Sequence, residues 1–522
     1  MESNKINIDH FTYGEKLKEW AKKYSDNIAI IDEEIKVTYS EMYEKVQILT
    51  KHLLRMGIEY NDKVILQFPN TYIFAFTFLS LLNIGAKPIL VLPAHREKDI
   101  EGIIEKTNAK AYFCNKTYLN FNYEELATNL SNKHKSIKYC IFDDEIKEML
   151  NNDIDYSKPY RKPTYDEVGL YILSGGTTGI PKLIPRTHGD YIYNGRKFGE
   201  RCKLTEKDIY LAIIPVEHNF ALNNPGILGT FEYGGTNVFS LYASPMEVLE
   251  LIEKYKVTHT SLVPALAMMC VEYLKWDDSF DLSSLKFIGI GGAALTPIAA
   301  KKIKEGFGCK LLQVFGTGEG LICTTDLEDS DEIVFNCQGK PISEFDQIKI
   351  VDSNYEEVPL GEIGELINKG PYTIKAYYKN EDANKKSFTS DGYYCTGDLA
   401  CITKEGNIRV VGRIKEQINR AGEKIMPSEI EEHINKYPGI VDNVLLGVPD
   451  ELLGNSTCAC VINRSEKMNI MSLRNFLKEM GLAEYKRPDK LVQFDAFPLT
   501  AVNKVDRNRL LEMVIEKLKE EK

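Results

Sequence analysis

The feature that most constrains the fold is an alternation of short apolar strands and helical segments between about residues 60 and 315. Residues 63–67 (KVILQ), 72–84 and 88–92 (PILVL) read as a strand, a helix and a strand in succession. Apolar strands separated by helices are typical of a parallel sheet that is covered on both faces. The strand pattern returns at 168–173, 208–214, 258–263, 286–290 and 311–315. This part of the chain is therefore predicted to be α/β.

The remainder of the chain shows two further patterns. Residues 346–411 contain short β segments separated by turn residues, which predicts a β-rich subdomain. After Arg413, a capping box at Ser428–Glu431 predicts the start of a helix. Strands are predicted at 441–447 and 457–462, followed by a helix at 471–480. We therefore expect a large N-terminal domain, 1–413, of layered αβ subdomains plus the β-rich subdomain, and a small C-terminal α+β domain, 414–522.

Composition and charge exclude several classes of protein. The 65 Lys plus Arg against 76 Asp plus Glu give a net charge of −11, which argues against nucleic-acid binding. The most apolar stretch, 72–86, is shorter than the roughly 20 residues of a membrane span, and the N-terminus has no apolar run of signal type. We expect a cytoplasmic protein with no membrane partner. The eleven cysteines are odd in number and scattered, which favours reduced thiols over a disulfide framework.

The strongest local motif is the segment SGGTTGIPK, which directly follows the strand 168–173. Glycines let backbone N–H groups approach phosphate oxygens, hydroxyls add donors, and a lysine adds charge. The spacing is not that of a Walker loop, so a different phosphate-binding loop is implied. The alternative is a flexible surface loop. The candidate phosphate-binding residues are Ser174, Gly175, Gly176, Thr177, Thr178, Gly179 and Lys182.

Two other glycine-rich turns follow strands. Gly289–Ala294 fits the dinucleotide-binding pattern Gly-x-Gly-x-x-Ala, but the next strand ends at Gly316 with no acid before Glu319. The simpler interpretation is a tight strand-to-helix turn that could still line a ligand. In the second turn, Phe315–Gly320, Glu319 could bind Mg²⁺ beside phosphates and Phe315 could stack on a base.

Two residues nearer the C-terminus could also contact a nucleotide. Asp398, in the segment YCTGD, is placed on a turn where a carboxylate could accept from a ribose diol. Lys504, in PLTAVNK, lies on a loop near the end of the chain. Considered alone, Asp398 could equally be a solvated acid, and Lys504 could equally be a surface lysine.

Taken together, the motifs resemble one family across most of the chain. SGGTTGIPK, GIGGAA, FGTGE, YCTGD, GRIKEQINRAGEKI (412–425) and PLTAVNK occur in the order seen in adenylate-forming enzymes. The resemblance is narrower to stand-alone aryl-acid AMP ligases of siderophore biosynthesis and nonribosomal peptide synthesis, such as the 2,3-dihydroxybenzoate-AMP ligases. The segments that carry it are 184–193 (IPRTHGDYIY), 218–229 (HNFALNNPGILG), 338–341 (QGKP), 370–374 (GPYTI) and 415–420 (KEQINR).

The resemblance implies a ligase with two half-reactions that uses ATP and Mg²⁺. A carboxylate attacks the α-phosphorus of ATP to give an acyl-adenylate and pyrophosphate. The phosphopantetheine thiol of a carrier protein, or CoA, then displaces AMP. Because the first step brings two anions together, the site must supply positive charge.

By the same resemblance, each motif takes a role. Residues 174–182 would hold the β- and γ-phosphates, Glu319 would ligate Mg²⁺, and Thr317 would contact the α-phosphate. Asp398 and Arg413 would hold the ribose. Lys504 would bridge the carboxylate and the phosphate, and Lys415 would be the hinge about which the small domain rotates. The segments expected to bracket the adenine are Gly291, Gly292 and Ala293 on one side and Phe315 and Gly316 on the other.

The expected acid site is formed by His218, Asn219, Phe220, Asn224 and Ile322. Amino-acid-activating relatives usually have Asp at the position of Asn219, where it balances the substrate ammonium. A neutral Asn cannot balance that charge, so an aryl acid such as 2,3-dihydroxybenzoate or salicylate is favoured. His218 would lie near the substrate carboxylate.

Four positions depart from the family pattern. Asn224 stands where Ser or Cys is common, and Phe220 where Tyr is common, so the ring substituents stay open. Asn503 replaces a Gly, and Cys395 replaces an Arg.

Two alternatives remain at this point: an aromatic or short-chain acyl-CoA ligase, and a non-catalytic sensor of adenylates. The segment after Lys415 is nearly neutral, so the acidic excess belongs to the large domain. A set of basic residues in that segment is a candidate surface for an acidic carrier protein: Lys486, Arg487, Lys490, Arg507 and Arg509.

Overall fold

The computed structural model describes residues 10–174, 181–421, 423–450, 452–464, 468–500 and 504–520. It confirms a mixed α/β fold with a large first part and a smaller C-terminal part. The chain divides into two compact units: Met1–Gln347 with Asn368–Tyr394, and Ile348–Ile367 with Cys395–Lys522. The functional boundary expected at residue 413 stays a prediction.

The first unit contains two large sheets. Its strands are β1 Ile28–Asp32, β2 Ile35–Thr38, β3 Lys63–Gln67, β4 Lys87–Leu90, β5 Ala111–Cys114, β6 Thr117–Tyr118, β7 Phe121–Asn122, β8 Tyr139–Phe142, β9 Val168–Leu173, β10 Leu183–Thr187, β11 Ile209–Ala212, β12 Thr236–Phe239, β13 His259–Leu262, β14 Phe287–Gly291, β15 Lys310–Gly316, β16 Ile322–Thr324 and β17 Lys340–Pro341. One sheet has the order β17-β16-β15-β14-β13-β11-β12-β1-β2, and the other has the order β10-β9-β4-β3-β5-β8. Each predicted strand up to residue 315 is confirmed to within about two residues at its ends.

Helices connect these strands and cover the sheets. They are α1 Tyr13–Lys23, α2 Tyr39–Arg55, α3 Tyr72–Ile84, α4 Glu97–Thr107, α5 Tyr123–Lys133, α6 Asp143–Leu150, α7 His188–Arg201, α8 Asn219–Asn223, α9 Gly226–Glu232, α10 Pro245–Tyr255, α11 Pro264–Leu274, α12 Pro297–Phe307, α13 Asp331–Asn336 and α14 Glu381–Ser387. The parallel pairs β3–β4, β11–β12 and β14–β15 have crossovers that contain these helices, as parallel strands require.

The apolar segment predicted as a buried helix is α3. Thr71 caps its N-terminus by accepting from the backbone N–H of Phe74, and Gly85 ends it with φ 75°. Every α3 residue from Ile73 to Ile84 is buried, in a core shared with strands of both sheets. Among the described residues, no helix has the length and apolar character that a membrane crossing requires.

The carboxyl ends of the parallel strands bring the predicted motifs to the edges of the sheets. β14 ends at Gly291 and pairs in parallel with β15, so the turns that follow both strands emerge at one edge. β11 lies in the same sheet, and the chain after it leads to His218. Ligands bind at this edge in open α/β sheets. The topology therefore brings the turns after β11, β14 and β15, which are far apart in sequence, to the same edge of one sheet.

The second unit contains smaller sheets. The strands of this part are β18 Gln347–Val351, β19 Gly364–Lys369, β20 Tyr394–Ile402, β21 Ile408–Arg413, β22 Ile418–Arg420, β23 Glu423–Ile425, β24 Ile440–Asp450, β25 Gly454–Asn463 and β26 Lys490–Gln493, and the helices are α15 Pro427–Ile434, α16 Ile470–Glu479 and α17 Arg507–Glu520. β18 to β21 form one sheet, β22 and β23 a hairpin, and β24 to β26 a third sheet.

The predicted capping box at Ser428 is wrong. Helix α15 begins with Pro427 in its first turn, and Met426 is its N-cap residue without a side-chain cap. The Ser428 hydroxyl instead donates to the carbonyl of Val411. Proline suits the first helical position because its missing N–H has no intrahelical partner there.

All eleven cysteines are free.

Candidate functional site

The two ends of the glycine-rich segment are held together by backbone pairing. Ser174 donates its N–H to the carbonyl of Lys182 at 3.0 Å, and its Oγ accepts from the Lys182 N–H at 3.0 Å. This pairing continues the antiparallel register of β9 and β10. The predicted phosphate-binding residues Gly175, Gly176, Thr177, Thr178 and Gly179 lie outside the described residues.

Lys182 and Glu319 are joined through a tyrosine that the sequence did not single out. Lys182 Nζ donates to the hydroxyl of Tyr377 at 3.0 Å, and that hydroxyl donates to Glu319 Oε1 at 2.7 Å. Glu319 is 7% exposed. Burial, together with the negative charge of Glu319, holds the pKa of Tyr377 above its usual value, so this hydroxyl keeps its proton. The structure thus links the predicted phosphate-binding lysine to the predicted metal ligand.

The turn after β15 presents a hydroxyl with no partner. Thr317 donates its N–H to the carbonyl of Leu321 at 3.0 Å, but its Oγ is buried and makes no hydrogen bond with any described residue. A buried hydroxyl of this kind is uncommon and costs free energy unless a ligand satisfies it. Phe315 and Gly316 end the preceding strand. Ile322, which is 1% exposed, packs so closely against Gly316 that a side chain there would collide with it.

The predicted adenine-binding turn follows β14. Gly291 is buried, and a Cβ at this position would lie 2.7 Å from the carbonyl of Val314 and 3.2 Å from the ring of Phe220. Gly292 has φ 82°, a conformation that favours glycine, and Ala293 is exposed. Phe220 therefore packs directly against the base of this turn. The structure brings one predicted acid-site residue and the predicted nucleotide turn together.

The remaining acid-site residues lie in and beside helix α8. His218 is its N-cap residue, with Nδ1 accepting from the N–H of Phe220 at 3.3 Å. Asn219 Oδ1 accepts from the hydroxyl of Tyr191 at 2.7 Å. Asn224 is 2% exposed, accepts from Asn194 at 2.9 Å and donates to the carbonyl of Asn219 at 3.0 Å. Asn224 is thus engaged on both sides by protein groups and helps to fix Asn219.

Glu217, next to His218, is a buried acid that the sequence analysis did not identify. The residue is 3% exposed, and neither carboxyl oxygen makes a hydrogen bond with the described residues. Burial removes the carboxylate from water and raises its pKa to about 8. At neutral pH this group therefore carries a proton, and it adds no negative charge beside the predicted acid site.

The second unit brings Asp398, Arg413 and Lys504 together. Asp398 is 3% exposed and faces Arg413 across β20 and β21, with 2.9 Å between Oδ1 and Nε. Burial lowers the pKa of Lys504, the positive charge of Arg413 lowers it further, and Asp398 and Glu416 oppose this. Thr500 donates its N–H to the Lys504 carbonyl at 2.7 Å.

The predicted hinge and carrier-binding residues also belong to this unit. Lys415 is exposed in a short 3₁₀ turn, Ile414–Glu416. Among the candidate carrier-binding residues, Lys486 pairs with Glu429 at 2.6 Å and Arg507 pairs with Glu431 at 2.8 Å. These ion pairs reduce the net positive charge that the candidate surface offers to an acidic partner.

Sequence reasoning missed Tyr377 and Arg186. Arg186 is fully buried, and Nη1 donates to the carbonyl of Gly318 at 3.0 Å. Both residues lie in or just after segments that carry the family resemblance, 184–193 and 370–374. The available sequence signals were an arginine within the segment 184–193 and two consecutive tyrosines, Tyr377 and Tyr378, but neither signal indicates a partner.

Comparisons with known proteins identify a matching family, similar sequences and similar structures. The family model for the AMP-binding enzyme matches residues 17–378, and the model for the AMP-binding enzyme C-terminal domain matches residues 429–504. The chain is 40% identical over 514 residues to a 2,3-dihydroxybenzoate-AMP ligase of Bacillus subtilis, covering 97% of this chain and 94% of that protein. It is 38% identical to a vibriobactin-specific 2,3-dihydroxybenzoate-AMP ligase of Vibrio cholerae, covering 95% and 92%. Among solved structures, the apo structure of Mycobacterium smegmatis MbtA has a TM-score of 0.75 at 35% identity, covering 97% and 95%.

Proposed function

The chain belongs to the AMP-binding enzyme family, and from this premise we propose that it activates an aryl carboxylic acid with ATP and transfers it to a thiol. The first product is an acyl-adenylate, with release of pyrophosphate. The acceptor is the phosphopantetheine thiol of a carrier protein. The names of the similar ligases from Bacillus subtilis and Vibrio cholerae support 2,3-dihydroxybenzoate or a related hydroxybenzoate as the acid.

The observation that carries the proposal is the hydrogen-bonded chain from Lys182 through Tyr377 to Glu319, next to the unpartnered hydroxyl of Thr317. A cation, a carboxylate and a free hydroxyl on neighbouring segments suit a polyphosphate with its metal ion. The residues therefore fit Mg²⁺ in the mode in which one carboxylate and substrate phosphates hold it. Mg²⁺ would neutralise phosphate charge during attack by the carboxylate.

The chain's own residues supply the remaining chemistry. The Thr317 hydroxyl would donate to the α-phosphate, and Lys182 with residues 174–179 would bind the β- and γ-phosphates. Asp398, oriented by Arg413, would accept from the ribose hydroxyls. Lys504 would donate from its ammonium to the carboxylate and phosphate oxygens, where negative charge builds up as the new bond forms.

The acid site supports a substrate without an α-amine. Asn219 is neutral, and Glu217, next to His218, is protonated at neutral pH, so neither residue offers a carboxylate to an ammonium group. The proposal assigns Asn219 to a polar ring substituent, His218 to the carboxylate end, and Phe220 and Ile322 to the walls. Asn224 would act by holding Asn219.

The other expected properties belong to the same proposal. The lid domain would be 414–522, hinged at Lys415, and the protein would act in the cytoplasm. The carrier protein would be acidic, with CoA as the competing acceptor.

ATP–pyrophosphate exchange across a panel of benzoates and pyridine carboxylates tests the proposal. We expect exchange with one or more hydroxybenzoates, and a loss of about 10²–10³-fold on Lys504→Ala, because a donor to developing charge is removed. Lys404→Ala is the matched control, since Lys404 is an exposed lysine of the same unit. No exchange with any acid of the panel would refute the proposal, and equal rates in both variants would refute the role of Lys504.

Acceptor choice needs a second measurement. Transfer from the preformed adenylate should be faster to a phosphopantetheinylated aryl carrier protein than to free CoA. Faster transfer to CoA would instead assign the protein as an acyl-CoA ligase.

A further inference from the structure

Arg186 is a fully buried cation whose guanidinium contacts three separate segments of the first unit. Nε donates to Asp190 Oδ1 at 2.9 Å, within the same turn of chain. Nη1 donates to the carbonyl of Gly318 at 3.0 Å, and Nη2 donates to the carbonyl of Tyr372 at 3.2 Å. A buried charge is costly unless it is paired and hydrogen-bonded, and these three bonds to one acid and two carbonyls therefore hold the partners of Arg186 in place.

The two backbone carbonyls belong to the segments that carry the proposed phosphate and metal ligands. Gly318 lies between Thr317 and Glu319. Tyr372 precedes Ile374, whose N–H donates to the carbonyl of Glu319 at 2.8 Å. The same segment continues to Tyr377, which donates to the carboxylate of Glu319. Arg186 therefore holds two neighbouring segments of backbone in one arrangement.

Close packing restricts the turn at residues 317–320 in addition to the hydrogen bonds from Arg186. A Cβ at Gly318 would lie 2.9 Å from Ile184 Cδ1, so the turn packs directly on the strand that carries Arg186. A Cβ at Gly320 would collide with the backbone of Thr373. The position of Thr317 and Glu319 thus depends on strand β10 and on the segment 372–374, and Arg186 is hydrogen-bonded to both sides of that junction.

We propose that Arg186 is a positioning residue for nucleotide binding: its guanidinium sets the turn that carries Thr317 and Glu319 by holding the Gly318 and Tyr372 carbonyls together. This inference rests on the proposed function. Arg186 touches no reacting atom and acts through backbone that it orients. Lysine cannot replace it, because one ammonium lacks the planar fork that reaches an acid and two carbonyls at once.

The test compares Arg186→Lys with Arg201→Lys. Arg201 is the last residue of helix α7, which directly follows the strand of Arg186, and it also donates to one carboxylate and one carbonyl, those of Asp326 at 3.3 Å and Pro341 at 2.9 Å. Neither Asp326 nor Pro341 is a predicted site residue. Each variant removes guanidinium hydrogen bonds to a carboxylate and to backbone carbonyl oxygen, three at Arg186 and two at Arg201, so effects that follow from such a loss alone appear in both.

In ATP–pyrophosphate exchange, Arg186→Lys should raise the KM for MgATP and lower kcat, with a combined loss of roughly 100-fold, since a displacement of about 1 Å can cost this much. The KM for the acid should change far less, and Arg201→Lys should keep the wild-type constants. Amide hydrogen exchange at residues 317–321 should be faster in Arg186→Lys than in the wild type and unchanged in Arg201→Lys.

Three outcomes would overturn the inference: equal effects of both variants on KM and kcat, unchanged hydrogen exchange in the turn, or unaltered MgATP affinity in Arg186→Lys. Arg186→Gln provides a second variant if the lysine variant does not fold, because an amide retains one donor for one carbonyl. MgATP binding measured by calorimetry separates this inference from the proposed function. Failure of the wild type to exchange with any acid refutes the function, whereas unaltered MgATP affinity in Arg186→Lys refutes the positioning role.

Discussion

In the wild type, the buried carboxyl of Glu217 should make the free energy of unfolding fall as pH rises. Replacing Glu217 with glutamine should abolish this pH dependence. In the folded chain, burial raises the pKa of this carboxyl to about 8, from an ordinary value of 4.5. Between these values the unfolded chain releases the proton and the folded chain keeps it. The free energy of unfolding therefore falls as pH rises, by about 1.4 kcal/mol for each pH unit.

The magnitude follows from the two pKa values. Relative to acid pH, where both states are protonated, the wild type should have lost about 3 kcal/mol at pH 7, and above pH 8 the loss should level off at about 5 kcal/mol. Glutamine has the same shape and does not ionise, so Glu217→Gln should lack this contribution. Such a change is a large fraction of the stability of an ordinary domain.

Urea unfolding between pH 5 and 8.5, followed by tryptophan fluorescence, measures the effect. Of the two tryptophans, Trp20 is 1% exposed in the core of the first unit, whereas Trp276 is 91% exposed, so Trp20 reports unfolding around Glu217. Glu206→Gln, at an exposed acid of the same unit, is the control. Wild-type and Glu217→Gln curves with the same pH dependence would refute the assignment of a buried, protonated acid. An infrared band of a protonated carboxyl at pH 7 that Glu217→Gln removes would support it directly.

Two further predictions concern the site and the core. Tyr377→Phe removes the hydroxyl that donates to Glu319 and should weaken MgATP binding about 10-fold to 100-fold, as expected for one charged hydrogen bond. The control Tyr378→Phe should bind MgATP as the wild type does. Wild-type MgATP affinity in Tyr377→Phe would contradict the role of this hydrogen bond. His259 is buried between aromatic rings with a pKa lowered to about 4, because burial disfavours the charged ring. Its neutral form binds a proton only on unfolding, so stability should fall as pH drops from about 6.5 towards 4. His259→Gln should flatten that acid limb of the unfolding curve, and an unchanged acid limb would contradict the prediction.

Much of the fold was predictable because it depends on local pattern. The apolar run at 72–84 has no charged residue, and it forms α3 with the predicted bounds. The strands at 63–67 and 168–173 also have the predicted bounds. The cap at Ser428 failed for a local reason too: Pro427 begins the helix, and the serine hydroxyl is used by the Val411 carbonyl instead. Side-chain capping competes with any other acceptor within reach, and sequence spacing alone does not reveal such an acceptor.

The candidate site was predictable only as a set of segments. The glycine-rich turns after β14 and β15 were placed at the ligand-binding edge because parallel neighbours share that edge. The hydrogen bonds that give these turns their chemistry join Gly318 to Arg186 and Glu319 to Tyr377, residues distant in sequence. The protonation of Glu217 likewise follows from burial by elements that lie far away along the chain.

The sequence by itself determined that this chain is an α/β adenylate-forming enzyme, since periodicity and ordered motifs are properties of short segments. Only the tertiary structure decided which side chains orient those motifs and which acids carry protons. Hydrogen bonding and desolvation depend on distances between segments, and those distances exist only once the sheets and helices have packed.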